Sequence, residues 1–364
     1  MDSRPGLDGV VATDTVLSDV DGEAGRLVIR GYPLQELVGR RRFEEVLELL
    51  LAGFFDAPAM PLARALGAAR ARAFAFVPHS DHRLLELTPI EGLRALMARL
   101  PDADDHAAAM LLIAAPAVFT AALVRLRDGL APLEPDATLE HAADALRMLR
   151  GSAAARCEVD ALDKYLVTVA DHGLNASTFT ARIVASTQAG LTSATVAALS
   201  ALKGPLHGGA PGPVLDMLDD IGRPEHAHAW LERALSRGER LMGFGHRIYR
   251  VRDPRADALR DALQVLHAAR GTPDERLLLA EAVERTAVAL LRRDKPQRRL
   301  DTNVEFYTAL LLEALAVPRS SFTCVFAMGR VGGWIAHARE QVLHGRLIRP
   351  QSRYVGPAAP PQAA

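Results

Sequence analysis

The sequence predicts an all-α fold with one small β-hairpin near its N-terminus, on three observations. First, hydrophobic residues make up 49% of the 364 positions while aromatics supply only 5%, so the apolar mass is Ala, Leu and Val. Ala and Leu are strong helix formers. Second, from Leu34 onward apolar residues return every three or four positions in one segment after another. Third, Pro, Gly, Asp, Asn and Ser fall between those segments, where helices start and stop. A chain of this length can bury its core as one large domain or two unequal ones.

The hairpin is Val10–Val20 against Arg26–Tyr32, separated by Asp21-Gly22-Glu23-Ala24-Gly25. β-branched content and an Asp-Gly turn signal support it. Helical periodicity then runs over Leu34–Ala52, Met60–Phe74, Ile90–Leu100, Ala107–Leu126, Leu139–Leu149, Asp160–Ala170 and Ala176–Ala189. It resumes over Ser193–Leu202, Val214–Asp220, Ala227–Ser236, Ala256–Ala268, Pro273–Arg293, Val304–Leu315 and Phe322–Leu343. No internal repeat stands out. The apolar stretch Met110–Val124 is short for a membrane span and bounded by charges, so it reads as a buried core helix. Glycine-rich turns cluster at 204–212 and 243–245, which suggests a smaller lobe between them and about residue 316. The Pro/Ala-rich tail Pro357–Ala364 reads as disordered.

Composition excludes several function classes. A net charge of −1 argues against a nucleic-acid footprint spread over the surface. Cys157 and Cys324 lie far apart with no Cys-x-x-Cys, which excludes a disulfide framework or a zinc signature and points to a reduced, cytoplasmic setting. The N-terminus lacks the basic and apolar regions of a signal peptide. Only Lys164, Lys203 and Lys295 are lysines, so almost all positive charge is arginine.

The most informative stretch is Gly243-Phe-Gly-His-Arg-Ile-Tyr-Arg-Val-Arg-Asp-Pro-Arg255. Glycines permit close approach of backbone and ligand, the imidazole of His246 can donate a hydrogen bond, and arginines present planar forks to carboxylate or phosphate. Alone it says that an anionic substrate sits near a histidine. In Asp171-His-Gly-Leu-Asn-Ala-Ser-Thr-Phe179, Asn175 or Ser177 looks like a helix cap, and His172 either completes that turn or serves a site. His207, in Lys203-Gly-Pro-Leu-His-Gly-Gly-Ala-Pro-Gly-Pro213, lies just upstream of a helix N-terminus. The dipole there disfavours imidazolium, and a neutral ring can donate to a developing oxyanion. Thr302-x-x-Glu305 has capping-box spacing, so Glu305 reads either as a helix cap or as a site carboxylate. Arg330, Trp334 and His337 share one helical face.

Together these segments resemble the citrate synthase family, in the short bacterial and archaeal form shared with 2-methylcitrate synthases. The Gly243–Arg255 run is a specific hallmark, supported by Gly204-Pro-Leu-His-Gly-Gly-Ala210 and Phe322-Thr-x-x-Phe-Ala-x-x-Arg-x-x-Gly-Trp-x-Ala-His337. Further likeness runs from Gly9-Val-Val-Ala-Thr-Asp-Thr15 to Arg349-Pro-x-x-x-Tyr-Val-Gly356, covering nearly the whole chain.

The resemblance implies a two-domain helical homodimer in the cytoplasm, with a large domain of residues 1–208 plus 317–364 and a small domain of 209–316. It implies condensation of acetyl-CoA with oxaloacetate, a reaction of the tricarboxylic acid cycle, followed by thioester hydrolysis. Acetyl-CoA is a co-substrate; no cofactor, metal, nucleic acid or membrane is implied. By resemblance, His207 hydrogen-bonds the thioester oxygen, His246 polarises the oxaloacetate ketone, and Glu305 is the base. His172, Arg255 and Arg330 hold oxaloacetate, Arg349 reaches across the dimer interface, and Arg250 meets CoA phosphates. Glu305 stands where the family usually has Asp, and its extra methylene shifts the carboxylate by about an ångström, a displacement that can cost roughly a hundredfold in rate. Ala210-Pro-Gly-Pro213 replaces a common Ala-Asn-Glu, and Gln351 a common arginine. Two alternatives stay open: a 2-methylcitrate synthase using propionyl-CoA, and a non-catalytic ligand-binding or regulatory paralogue.

Overall fold

The computed structural model describes residues 5–7, 9–56, 60–77, 81–208, 211–271 and 275–357. Among them are sixteen α-helices and one three-stranded antiparallel sheet, so the all-α expectation holds. The sheet runs β1 (Ser18–Asp21), β2 (Arg26–Ile29) and β3 (Tyr32–Pro33), with Ser18 opposite Ile29 and Val28 opposite Pro33. Asp21 Oδ1 closes the hairpin turn, accepting from the Glu23 and Ala24 N–H groups at 3.1 and 2.9 Å. Pairing starts only at Ser18, later than the expected Val10, and β3 was not anticipated.

The helix expected over Leu34–Ala52 is two, α1 (Leu34–Leu37) and α2 (Phe43–Leu51). Gly39 adopts φ 74°, a conformation that ends a helix. Glu45 then accepts from the Arg42 N–H at 2.6 Å and starts the next one. α3 (Leu62–Phe74), a short unanticipated α4 (His82–Glu86), α5 (Pro89–Met97), α6 (His106–Arg127), α7 (His141–Arg150) and α8 (Arg156–Val169) follow. Then come α9 (Ala176–Ala185), α10 (Leu191–Leu202), α11 (Pro211–Ile221), α12 (Ala227–Ser236) and α13 (Pro254–Arg270). The series ends with α14 (Glu275–Asp294), α15 (Val304–Ala314) and α16 (Phe322–His344). The expected helix start at Pro273, glycine-loop residues 209 and 210, and the tail beyond 357 lie outside the described residues.

α6 is apolar and long enough to cross a membrane, but every residue from Ala108 to Val124 is buried inside the protein. It is a core helix, as its flanking charges suggested. α16 is the second central helix, packed against α2, α6, α8, α9 and α10. Gly333 permits part of that approach: a Cβ there would collide with the Ala170 carbonyl and stand 3.0 Å from Asp171 Oδ1. The segment that carries His172 is thereby held against α16.

Candidate active site

The site forms where five pieces of backbone converge: the turn after α8, the loop before α11, the loop that leads into α13, and the faces of α15 and α16. The 243–246 loop pairs with the strand-like segment before α15. The Gly245 N–H donates to the Asp301 carbonyl at 2.8 Å, and the Asn303 N–H to the Gly243 carbonyl at 2.9 Å. Gly243, at φ 84°, leaves no room for a side chain, since a Cβ would stand 2.8 Å from the Phe306 ring. The β1–β2 turn braces the other side, with the Arg250 N–H donating to the Gly22 carbonyl at 2.8 Å.

Asn303 joins the two catalytic candidates of this corner. Its Oδ1 accepts from the Glu305 N–H at 3.0 Å, capping α15, and its Nδ2 donates to the Gly245 carbonyl at 2.8 Å. The cap is therefore Asn303, and the Thr302–Glu305 capping box does not form. The Glu305 side chain is free of that duty, and its Oε2 is buried with no hydrogen-bond partner. Burial pushes the Glu305 carboxyl up to about 7; Asp253 adds to the rise, and Arg255 and Arg330 oppose it.

His246 accepts on Nδ1 from the Ile248 and Tyr249 N–H groups, each at 3.1 Å. A neutral ring held this way keeps its proton on Nε2. That atom lies 3.2 Å from Arg255 Nη2, so two donors stand side by side, and one carbonyl or carboxylate oxygen placed next to both would accept from the pair. Burial, with help from the Arg255 charge, lowers the His246 pKa to about 4. The ring is neutral at physiological pH.

Arg255 is fixed by Asp253, whose Oδ1 accepts from Nε at 3.0 Å and Oδ2 from Nη2 at 2.7 Å. Asp253 also caps α13 through the Arg255 N–H at 3.0 Å and takes the Val304 N–H at 3.2 Å. One carboxylate thus orients the arginine and ties α13 to α15. Asp253 stood inside the hallmark stretch, yet nothing in the spacing revealed this double duty.

His172 is buried, with Nε2 3.1 Å from the Tyr249 hydroxyl and its ring edge-on to His246 at 5.5 Å. Burial and the Arg255 charge hold it well below its usual pKa. Its loop is anchored on both sides. Asp171 accepts from Ser18 Oγ at 2.5 Å and lies 3.2 Å from His337 Nε2, while His337 Nδ1 accepts from Arg182 Nε at 3.0 Å. Arg182 in turn pairs with Glu340, which accepts from the Val16 N–H at 2.9 Å.

His207 lies ahead of α11, with Nε2 2.8 Å from Ser177 Oγ. Ser177 Oγ donates to Asn175 Oδ1 at 2.8 Å and accepts from Trp334 Nε1–H at 3.1 Å. Asn175 is the cap of α9, accepting from the Thr178 N–H at 3.1 Å. The His207 pKa falls to about 4, the direction the sequence suggested, but burial is the main cause and the Arg330 and Arg255 charges come next. Arg330 itself donates from Nε to the Val169 carbonyl at 2.5 Å, and its buried Nη2 has no partner. Burial lowers its pKa to about 10. Along one face of α16, Arg330, Trp334 and His337 thus make hydrogen bonds around the site, with Arg330 Nη2 left unpartnered.

The structure therefore gathers His172, His207, His246, Arg255, Glu305 and Arg330 into one electrostatic unit: the Arg255 charge acts on all five of the others. Arg250 and Arg349 stay outside it. Arg250 is exposed, with Nε 4.0 Å from Glu23, and Arg349 is exposed on the segment after α16. Among the described residues no group of three or more His, Cys, Asp or Glu side chains is placed to hold a metal ion.

A cluster of three neutral histidines, two oriented arginines and a buried carboxylate on an all-α frame narrows the comparison. A family model described as "Citrate synthase, C-terminal domain" matches residues 6–351. This chain belongs to the citrate synthase family. It is an enzyme of that acyltransferase type. "Putative citrate synthase 2" of Mycobacterium tuberculosis is 39% identical, covering 97% of this chain and 93% of that protein. "Citrate synthase" of Haloferax volcanii is 37% identical over 97% of this chain and 96% of its own length. "2-Methylcitrate synthase" of M. tuberculosis is 36% identical over 98% and 91%. Among solved structures, the ternary complex of Thermoplasma acidophilum citrate synthase with carboxymethyl coenzyme A and oxaloacetate superposes with a TM-score of 0.85. It is 27% identical and covers 99% of this chain and 97% of that one.

Proposed function

We propose that this citrate synthase works with Glu305 as base, His207 as thioester-oxygen donor and His246 as ketone donor. The observation that carries the proposal is Glu305: a buried carboxylate with an unpartnered oxygen, released from helix capping and tuned to about 7. A general base works best with a pKa near the operating pH. Ionised Glu305 takes a proton from the acyl α-carbon, and the electron pair moves onto the thioester oxygen as the enolate forms. His207, neutral, donates there from Nδ1 once the Ser177 hydroxyl proton turns from Asn175 Oδ1 to His207 Nε2. The enolate carbon then attacks the oxaloacetate ketone, whose oxygen receives a hydrogen bond from His246 Nε2–H. Hydrolysis of the citryl thioester releases CoA.

An oxaloacetate oxygen seated beside His246 Nε2 and Arg255 Nη2 accepts from both, which relieves the contact of two donors. Arg330 Nη2 supplies a second unpartnered donor for its carboxylates, and His172 a third group beside His246. Arg250, exposed beside the β1–β2 turn, meets CoA phosphates in this reading. Arg349 reaches the site in this reading from the second subunit of a homodimer. Exposed apolar side chains support such an interface: Val11, Leu206, Leu347, Tyr354 and Val355 are each more than half exposed. Residues 209–316 form the lobe that closes over oxaloacetate, and closure excludes water while the enolate exists.

The acyl group is acetyl or propionyl, since relatives of both kinds match over most of the chain. One methyl group is worth only about 1–3 kcal/mol in a pocket, so the choice rests on the rate ratio. CoA release with oxaloacetate and each acyl-CoA in turn tests the proposal, and the faster substrate specifies the reaction. A folded protein that releases CoA from neither would overturn it.

A further inference from the structure

Tyr249 is buried, and its backbone and side chain each meet a different site histidine. Its N–H donates to His246 Nδ1 at 3.1 Å, and its hydroxyl lies 3.1 Å from His172 Nε2. The three rings form one cluster. Tyr249 stands 4.8 Å from His246 and 5.5 Å from His172, and the two histidines stand edge-on at 5.5 Å. The Arg255 guanidinium lies over the Tyr249 ring at 5.8 Å, a cation–π contact that helps to hold the phenol in place.

The direction of the bond between phenol and imidazole follows from what each group can offer. A neutral imidazole carries one N–H and one bare acceptor nitrogen. Burial and the Arg255 charge keep His172 neutral, and burial raises the Tyr249 pKa, so the phenol keeps its proton. Among the described residues His172 Nε2 is the one hydrogen-bond partner of that hydroxyl. A phenol that accepted from Nε2–H would leave its own O–H buried and unsatisfied, which is costly. The phenol therefore donates, Nε2 accepts, and the His172 proton sits on Nδ1. Phenylalanine would fill the same space without a hydroxyl to desolvate, and none of the reaction steps above uses this one.

We propose that Tyr249 is a positioning residue that fixes the tautomer of His172, so that the ring presents Nδ1–H to oxaloacetate. The inference rests on the assignment of His172 to oxaloacetate. Two neutral histidines then offer protons from opposite ring nitrogens, His246 from Nε2 and His172 from Nδ1. Both are set by Tyr249, the first through its backbone N–H and the second through its hydroxyl.

The test is ring-nitrogen NMR of the full-length enzyme labelled in its histidines, with His172 assigned by its loss in His172→Ala. Nε2 couples to both ring carbon protons and Nδ1 chiefly to one, so the spectrum identifies the bare nitrogen. The wild type shows a bare Nε2 at His172; a proton there overturns the proposal. Tyr249→Phe releases the ring to the Nε2–H form that isolated histidine favours, and the oxaloacetate Kd rises about tenfold or more by calorimetry. An unchanged Nδ1–H form in a folded variant overturns the proposal. Should Tyr249→Phe fail to fold, the wild-type spectrum decides alone. In a His172→Ala background the same substitution has little effect on the oxaloacetate Kd; an equal loss in both backgrounds means packing and overturns the positioning role. His172→Ala that binds oxaloacetate as tightly as the wild type removes the oxaloacetate assignment itself, and the ring spectrum distinguishes that outcome from the others.

Discussion

Asp253→Asn is the perturbation whose consequences the structure fixes most closely. Asp253 is 1% exposed and Arg255 4%, so solvent does not screen their interaction. The carboxylate accepts four hydrogen bonds, at 3.0 and 2.7 Å from the Arg255 side chain and at 3.0 and 3.2 Å from the N–H groups of Arg255 and Val304. Asparagine keeps one oxygen and turns the other position into an NH₂ facing two donors. It also removes the counter-charge of a buried guanidinium, a change that typically costs about 3–5 kcal/mol. A second effect follows at the base. Asp253 helps raise the Glu305 pKa while Arg255 lowers it. With Asp253 neutral, Glu305 ionises more readily, and the acid limb of kcat/KM moves to lower pH. Urea unfolding and a pH–rate profile on the same variant measure both. A stability loss below about 1 kcal/mol, at the level of an exposed pair, would refute the burial argument. A limb that moved to higher pH would refute the electrostatic one.

Other expectations concern the donor histidine and the large helical body. Ser177→Ala leaves the α9 cap on Asn175 in place but frees His207 Nε2, so its tautomer is no longer set. The expected result is a fall in kcat of about 10²-fold, the size of losing one oxyanion donor, with an unchanged oxaloacetate Kd by calorimetry. Asp163 is buried near Glu44 and Glu140, and burial raises its pKa from 3.8 to about 7 despite the Phe43 N–H bond and the Arg42 charge. The folded state therefore holds an extra proton between those values. Stability from this group is present at acid pH and lost as pH rises through about 7, a swing of at most about 4 kcal/mol. Asp163→Asn removes that pH dependence in urea titrations at pH 5 and 8.

The fold was legible because periodicity reports burial, and α6 through α16 follow it closely. It failed where a single backbone conformation overrides period: Gly39 divides α1 from α2 although the apolar spacing continues through it. Of the candidate site residues inside compact motifs, all but the exposed Arg250 converge. What stayed hidden were partners whose meaning depends on contacts far apart in sequence. Asn303 reaches Gly245, and Ser177 reaches His207 and Trp334, only once distant segments pack. Glu305 itself had two readings at equal spacing. Only the capping geometry, with Asn303 in the role, separates them.

The central claim is that Glu305 removes the proton. Single-turnover CoA release, measured for wild type and Glu305→Gln with oxaloacetate binding checked calorimetrically in both, tests it most directly. The account predicts release by the wild type and a loss of about 10²–10⁴-fold in the variant, with oxaloacetate still bound. Equal release by the two proteins would contradict it and place the base elsewhere in the site.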